Sequence, residues 1–230
     1  RQTTYTAIKW MFETGIDWDG PEADYDQYVA IMDTCAAKLI KNYKDKSILP
    51  AVIKLIFRRN RRDLYIHDLV WTFFQAYDPD SLKYVAEYLI SQNEKDVKLA
   101  CKILHLKPER YDLVSRRKLY QNYLGWLKEN NPYLYMTGES FQYSNEPEPL
   151  QLDLDAKYLN KPISPRRKRP LDFTNDEQGQ LMQFHNAKKE DQYILAAYSQ
   201  QIHDRNLNNW NQWKRRELAK QIQTAKQDLG

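Results

Sequence analysis

Glycine, cysteine and long apolar runs are all in short supply in this chain. Six glycines in 230 residues, with β-branched residues that never fall into alternating runs, leave a sheet-based fold without its tight turns and its strands. No run reaches the roughly 18 apolar residues that cross a membrane. The opening RQTTYTAIKWMFETG has neither the apolar block nor the small-residue cleavage site of a signal peptide, so an intracellular, cytoplasmic protein is expected. Cys35 and Cys101 each lie among apolar residues at helical spacing, which makes them expected core residues in a reducing compartment and not a disulfide.

Catalytic signatures are missing as well. His67, His105, His185 and His203 have no second His, Cys or carboxylate at metal-ligand spacing on one helix face. His67 precedes Asp68, but neighbours on a helix point about 100° apart, so they form no dyad by themselves. A calcium loop from Asp17, Asp19, Asp24 and Asp26 fails on spacing, since no 12-residue pattern ends in a bidentate Glu. There is no Gly-rich phosphate loop, nucleophile elbow or paired-carboxylate motif. The chain is read as non-enzymatic, with no cofactor and no metal.

What remains is charge, aromatics and helical periodicity. Charged residues make up 29% of the chain and apolar ones 42%, enough for a core but with much surface, as in an elongated helical protein. The net charge of +4 is unevenly spread: residues 47–130 are net positive, 131–149 carry three acids and no Lys or Arg, and 150–172 are positive again.

Residues 5–14 predict a short helix with Tyr5, Ile8 and Phe12 on one side. After a break at Gly15, Gly20 and Pro21, a longer helix is expected from about Glu22, its acidic first turn complementing the helix dipole. Val29, Met32, Ala36, Leu39 and Tyr43 give it a buried face. From Ser47 and again from Asp80, a helix, a short polar turn and a second helix recur. Leu49 matches Leu82, Val52 matches Val85, Ile56 matches Leu89, Asp63 matches Asp96, Leu64 matches Val97 and Val70 matches Ile103, each 33 residues apart.

In YLISQNEKDVKLACKIL this layout resembles HEAT-like repeats, over about residues 47–106. The resemblance implies that Asp96 caps the second helix, that Val97 packs beneath it and that Lys98 faces water. In the first unit Asp63 and Leu64 stand in the corresponding places, with Tyr65 where a basic residue is expected. It further implies an all-α solenoid in which stacked units bury one another's apolar faces. DNA alkylation repair glycosylases use an Asp, aromatics and basic residues in the groove of such a scaffold. Asp68, Trp71 and Arg58 are the right types, but no local motif carries that site over.

KPERYDLVSRRKLYQNYLGWLKENNPYL reads as a further helix, opening at Pro108 and closing at Pro132, with Tyr111, Val114, Leu119, Tyr123, Trp126 and Leu127 as its apolar stripe. Five more prolines follow by residue 170, and an extended strap is expected there, anchored by its aromatics and leucines. Helical spacing returns at Asn175 as a hairpin, with a bend at Asn206 to Asn211. The expected organisation is a helical body over 1–130, a Pro-rich strap over 131–174 and a C-terminal helical hairpin arm over 175–230.

Two groups of residues are candidate contacts. The cations Arg58, Arg59, Arg61 and Arg62 fall at a turn, Arg116, Arg117 and Lys118 on one turn of a helix, and Arg166, Arg167, Lys168 and Arg169 between two prolines of the strap. Together with Lys95 and Lys98 the first cluster is placed on one edge of the solenoid, as a positive ridge. Tyr133, Tyr135, Phe141, Tyr143, Trp210 and Trp213 are candidates for an aromatic interface, since Tyr and Trp suit half-polar surfaces. The favoured function is a protein-interaction or assembly module, self-assembling through strap and arm, with the strap cations meeting the acidic NEPEPLQLDLD of another copy. A nucleic-acid-binding helical repeat using the cationic clusters is the alternative.

Overall fold

Helix dominates, as the lack of glycine and of alternating β-branched runs predicts. The computed structural model describes residues 2–18, 25–108, 110, 112–166 and 172–229. Among these are twelve α-helices and one two-stranded sheet. The chain forms two compact units, Arg1–Glu129 with Thr137–Pro149, and Asn130–Met136 with Leu150–Gly230. The stretch expected as a strap is therefore shared between them.

The first unit holds α1 (Gln2–Gly15), α2 (Tyr25–Lys41), α3 (Leu49–Arg61), α4 (His67–Phe74), α5 (Leu82–Ala86), α6 (Glu94–Ile103) and almost all of α7 (Leu113–Asn130). α1 packs on α2, and α3 packs on α4, α5 and α6. That central position explains why α3 buries Leu49, Val52, Ile53, Leu55, Ile56 and Phe57, more than one stripe. Asp45 starts this region by accepting the Ser47 backbone N–H at 2.9 Å, and Pro50 sits in the first turn of α3 where its missing N–H costs nothing.

The 33-residue register holds over the first helices and is lost at the second. Leu49 and Leu82 each open a helix behind a 3-10 turn, Lys46–Ile48 and Pro79–Ser81, and Val52, Val85, Ile56 and Leu89 are all buried. α3 then runs to Arg61, whereas α5 continues only as a 3-10 turn, Glu87–Ile90. In consequence Asp63 lies exposed in a turn with φ 57°, and Asp96 lies buried inside α6. The cap of α6 is Asn93, whose side chain accepts the Lys95 N–H at 2.9 Å. Asp96 instead accepts two bonds from Arg61, at 2.9 and 2.7 Å, and one from the Ser91 hydroxyl at 2.7 Å. Val97 is buried and Lys98 exposed.

With glycine scarce, helices end on other residues in the left-handed region. Asp63, His105 and Asn160, at φ 57°, 53° and 51°, each close a Schellman pair of bonds; after α3 these run from Leu64 N–H to Arg59 C=O and from Asp63 N–H to Asn60 C=O. α7 begins later than Pro108 predicts, behind Asp112, which accepts the Ser115 N–H at 3.0 Å. Of its expected stripe Tyr123 and Leu127 are buried, Val114 and Trp126 are exposed, and Tyr111 lies outside the described residues. The segment 19–24, with the expected helix start at Glu22 and with Asp19 and Asp24, also lies outside them.

The second unit corrects the expectation of an extended strap and a hairpin. β1 (Leu134–Met136) pairs antiparallel with β2 (Leu150–Leu152), Tyr135 opposite Gln151, and α8 (Leu154–Tyr158) follows, capped by Asp153 on the Ala156 N–H at 2.9 Å. The arm is four helices, α9 (Asn175–His185), α10 (Lys189–Arg205), α11 (Leu207–Lys214) and α12 (Leu218–Leu229). Thr174 and Glu177 form a capping box at α9, and the bend narrows to Asn206, which caps α11 on the Asn209 N–H at 3.0 Å. These helices build a core of their own from Leu154, Tyr158, Phe184, Leu195, Tyr198, Trp210 and Trp213, among others. The thin stripes suffice because α8 and four helices contribute to one cluster. A polar chain runs through it: Trp210 Nε1 donates to Ser199 Oγ, which donates to Tyr158 C=O, while the Tyr158 hydroxyl donates to Gln221 Oε1 at 2.8 Å.

Candidate functional site

In the first unit α2 and α4 pack side by side, and their polar residues converge. Asp33 and Lys41 lie two turns apart on α2, and Asp68 and Trp71 one turn apart on α4. The Lys41 ammonium stands 3.4 Å from the centroid of the Trp71 ring. Burial pushes its pKa down, and Asp68 pulls the other way. Asp33 accepts Arg59 Nη1 at 2.8 Å; burial raises its carboxyl above the usual range against the attraction of Arg59. Asp68 accepts the Tyr65 hydroxyl at 3.2 Å and the Gln142 amide at 2.6 Å.

The loop 137–149, which joins β1 to β2 in sequence, lies on this face and on α6. Gly138 turns its start at φ 87°, a conformation that favours glycine. The base is closed by Thr137 N–H to Pro149 C=O at 3.1 Å and by the Glu148 N–H to the Glu139 carboxylate at 2.9 Å. Phe141 is the anchor: its ring is buried, 5.8 Å from the His67 ring, with the Lys102 ammonium 4.7 Å away. His105 Nε2 is hydrogen-bonded to the Pro147 carbonyl. His67 thus packs beside the loop's aromatic anchor, and the acidic segment that sequence reasoning assigns to another copy has its first part, Asn145 to Pro149, folded against its own chain.

Several of the cations expected to form a ridge have partners within the chain. Arg58 donates to the Tyr28 hydroxyl at 2.8 Å, Arg59 is buried on Asp33, and Arg61 grips Asp96. Arg62 stands 5.9 Å from the Tyr25 ring, and Lys95 pairs with Asp63 at 2.6 Å. Arg59 Nε and Nη2 are buried without an acceptor among the described residues. These partners lie far off in sequence, so composition could not reveal that Arg59, Arg61 and Lys95 each already meet a carboxylate. Arg116 donates to Ser91 C=O at 2.6 Å and lines a groove of about 410 Å³ with Gln92, Glu94, Val97 and Lys98. Arg117, Lys118 and Arg166 are exposed; Arg167, Lys168 and Arg169 lie outside the described residues.

The aromatic set divides likewise. Tyr133, Phe141, Trp210 and Trp213 are buried within the chain, which corrects their assignment to an open interface. Tyr135 is half-buried with its hydroxyl on Gln151 at 2.8 Å, and Tyr143 is 85% exposed. Trp10 and Met11 on α1 and Ile31 on α2 are further exposed apolar residues that the sequence reading passed over. Cys35 and Cys101 are buried free thiols whose pKa values burial pushes up. Among the described residues no helix is long and apolar enough to cross a membrane, and no three His, Cys, Asp or Glu side chains group as metal ligands. No protein family, curated protein or solved structure matches the chain.

Proposed function

We propose that the protein is a non-enzymatic interaction module, a HEAT-like helical body whose α4–α6 face takes up an extended segment of a protein partner. The observation that carries this reading is the loop 137–149. It is held by one aromatic anchor, Phe141, between an imidazole and an ammonium, with polar contacts at Asp68 and His105. A face that engages its own chain this way has the chemistry to engage an acidic, aromatic-anchored segment from elsewhere. A second copy carries the same segment, so assembly by loop exchange is the simplest case.

The test replaces residues 138–148 by a short Gly-Ser linker and titrates a labelled peptide spanning 137–149. Saturable binding, weakened about tenfold or more by Phe141→Ala in the peptide, is expected from loss of a buried aromatic. No binding of the peptide to the linker variant rejects the reading.

The alternative, a nucleic-acid-binding module, draws on Arg117 and Lys118 exposed on α7 beside the groove of Lys98 and Arg116. It is the weaker reading because Arg58, Arg59 and Arg61 are engaged internally. Binding of a mixed nucleic-acid pool that falls steeply with salt, and is lost on Arg117→Glu with Lys118→Glu, would promote it.

A further inference from the structure

A guanidinium carries five N–H donors and a permanent charge, so an arginine that is partly buried ordinarily meets a carboxylate. Arg116 of α7 does not. Its Nη1 donates to the neutral Ser91 C=O at 2.6 Å, its Nε is buried without an acceptor, and no carboxylate pairs with it among the described residues. Asp96, which also uses Ser91 as a partner, is gripped by Arg61 at 2.9 and 2.7 Å. Arg116 lines the groove of about 410 Å³ together with Lys98, and Lys98 is engaged only by Glu94, in an exposed pair at 3.5 Å.

This groove and the loop 137–149 lie along one helix. Glu94, Lys98 and Lys102 recur every four residues on α6, and His105 closes its end. Pro147 is bonded at His105 and Phe141 sits at Lys102, so the loop is ordered from the C-terminus of α6 toward its N-terminus. Lys98 is the next turn, about 6 Å further on. Two residues of extended chain cover about 7 Å, and the residue two before Phe141 is Glu139. Within its own chain the Glu139 carboxylate is turned back onto the Glu148 N–H at 2.9 Å, at the base of the loop. A segment arriving from another chain is free of that closure.

We propose that the groove of Lys98 and Arg116 is the acid-binding half of the α4–α6 face, taking the carboxylate of a residue two positions before the aromatic anchor of the docked segment. The inference rests on the reading of that face as a peptide-docking surface. The partner is then an extended Glu-x-aromatic segment, and Glu139, Ser140 and Phe141 of a second copy supply one. A single carboxylate suits the groove better than a nucleic-acid strand, whose successive phosphates would have to pass the exposed Glu94 carboxylate.

The test titrates two labelled peptides spanning 137–149, one native and one with Glu139→Gln, into the full chain with residues 138–148 replaced by the Gly-Ser linker. Loss of a charge-assisted hydrogen bond at a partly exposed site predicts about fivefold weaker binding of the Glu139→Gln peptide. Arg116→Met in the protein should weaken the native peptide by the same factor and leave the Glu139→Gln peptide unchanged, whereas Glu94→Gln should tighten the native peptide alone. Equal affinities of the two peptides overturn the groove's role, and the docking face itself still stands if the Phe141→Ala peptide binds more weakly. Equal weakening of both peptides by Arg116→Met also overturns it, since Arg116 then only supports the fold, as does displacement of both alike by a mixed nucleic-acid pool. No binding by either peptide rejects the docking face and the groove together. Where the linker variant fails to fold, Phe141→Ala in the full chain opens the face for the same comparison.

Discussion

Phe141→Ala should release the loop 137–149 and leave the helices beneath it standing. Phe141 is the loop's only buried aromatic, and burying a phenylalanine side chain stabilises by about 1.5–3 kcal/mol. The Lys102 ammonium 4.7 Å from the ring adds about 0.5–1 kcal/mol, as for an exposed cation–π pair. Part of that area stays covered by the loop backbone, so a net loss of about 2–3 kcal/mol is expected. It falls on the docking equilibrium of the loop, because local segments open with their own free energies. At 1.4 kcal/mol per decade the opening constant rises about 30- to 150-fold. The assay is amide hydrogen exchange at Tyr143 and Ser144, whose N–H groups donate to Ser140 C=O at 3.1 and 3.2 Å, compared with amides of α3. Loop amides should lose protection while α3 keeps its own. Unchanged protection at Tyr143 and Ser144 would refute the anchor, and equal loss in α3 would show that Phe141 belongs to the core and not to a separable loop.

Three further outcomes are expected. Asp45 is disfavoured as an anion by burial, yet bonds from Ser47, Tyr5 and Lys9 outweigh this and hold its pKa to about 2 against 3.8. A depressed carboxyl stabilises above the unfolded value and loses that contribution as pH falls from about 4 to 2, here about 1 kcal/mol after screening; Asp45→Asn should flatten urea-derived stability across that window. Arg61→Met leaves the buried Asp96 carboxylate with the Ser91 hydroxyl alone and should cost about 2–3 kcal/mol; Asp96→Asn in the same background should recover part of it, a coupling that a double-mutant cycle measures. Gln221→Leu strands the buried Tyr158 hydroxyl and two carbonyls, of Lys214 and Arg216, and should cost about 3 kcal/mol, read from chemical denaturation of the second unit by tryptophan fluorescence; a loss under 0.5 kcal/mol would show that water replaces these bonds.

Much of the local structure was legible in the residues themselves. Scarce glycine and absent alternation excluded a sheet-based fold, and the spacing of Met32, Ala36 and Leu39 gave α2 its buried face, because helix periodicity is a property of neighbouring residues. The same locality misled at α6, where Asp96 looked like a cap although Asn93, three residues earlier, supplies it. Thin stripes on 175–230 suggested a hairpin wanting a partner, since no spacing rule reveals that α8 completes the core.

By itself the sequence determined that the chain is mostly helical, where α9 begins and which residues are apolar, all consequences of contacts within a few positions. Only the tertiary structure decided which cations remain free, because the partners of Arg59 and Arg61, Asp33 and Asp96, stand 26 and 35 residues away. It also decided that Trp210 and Trp213 are core, that Phe141 anchors a loop, and that Lys214 rests on an indole. Burial and charge pairing are sums over neighbours in space, and the order of residues along the chain does not fix those neighbours until it folds.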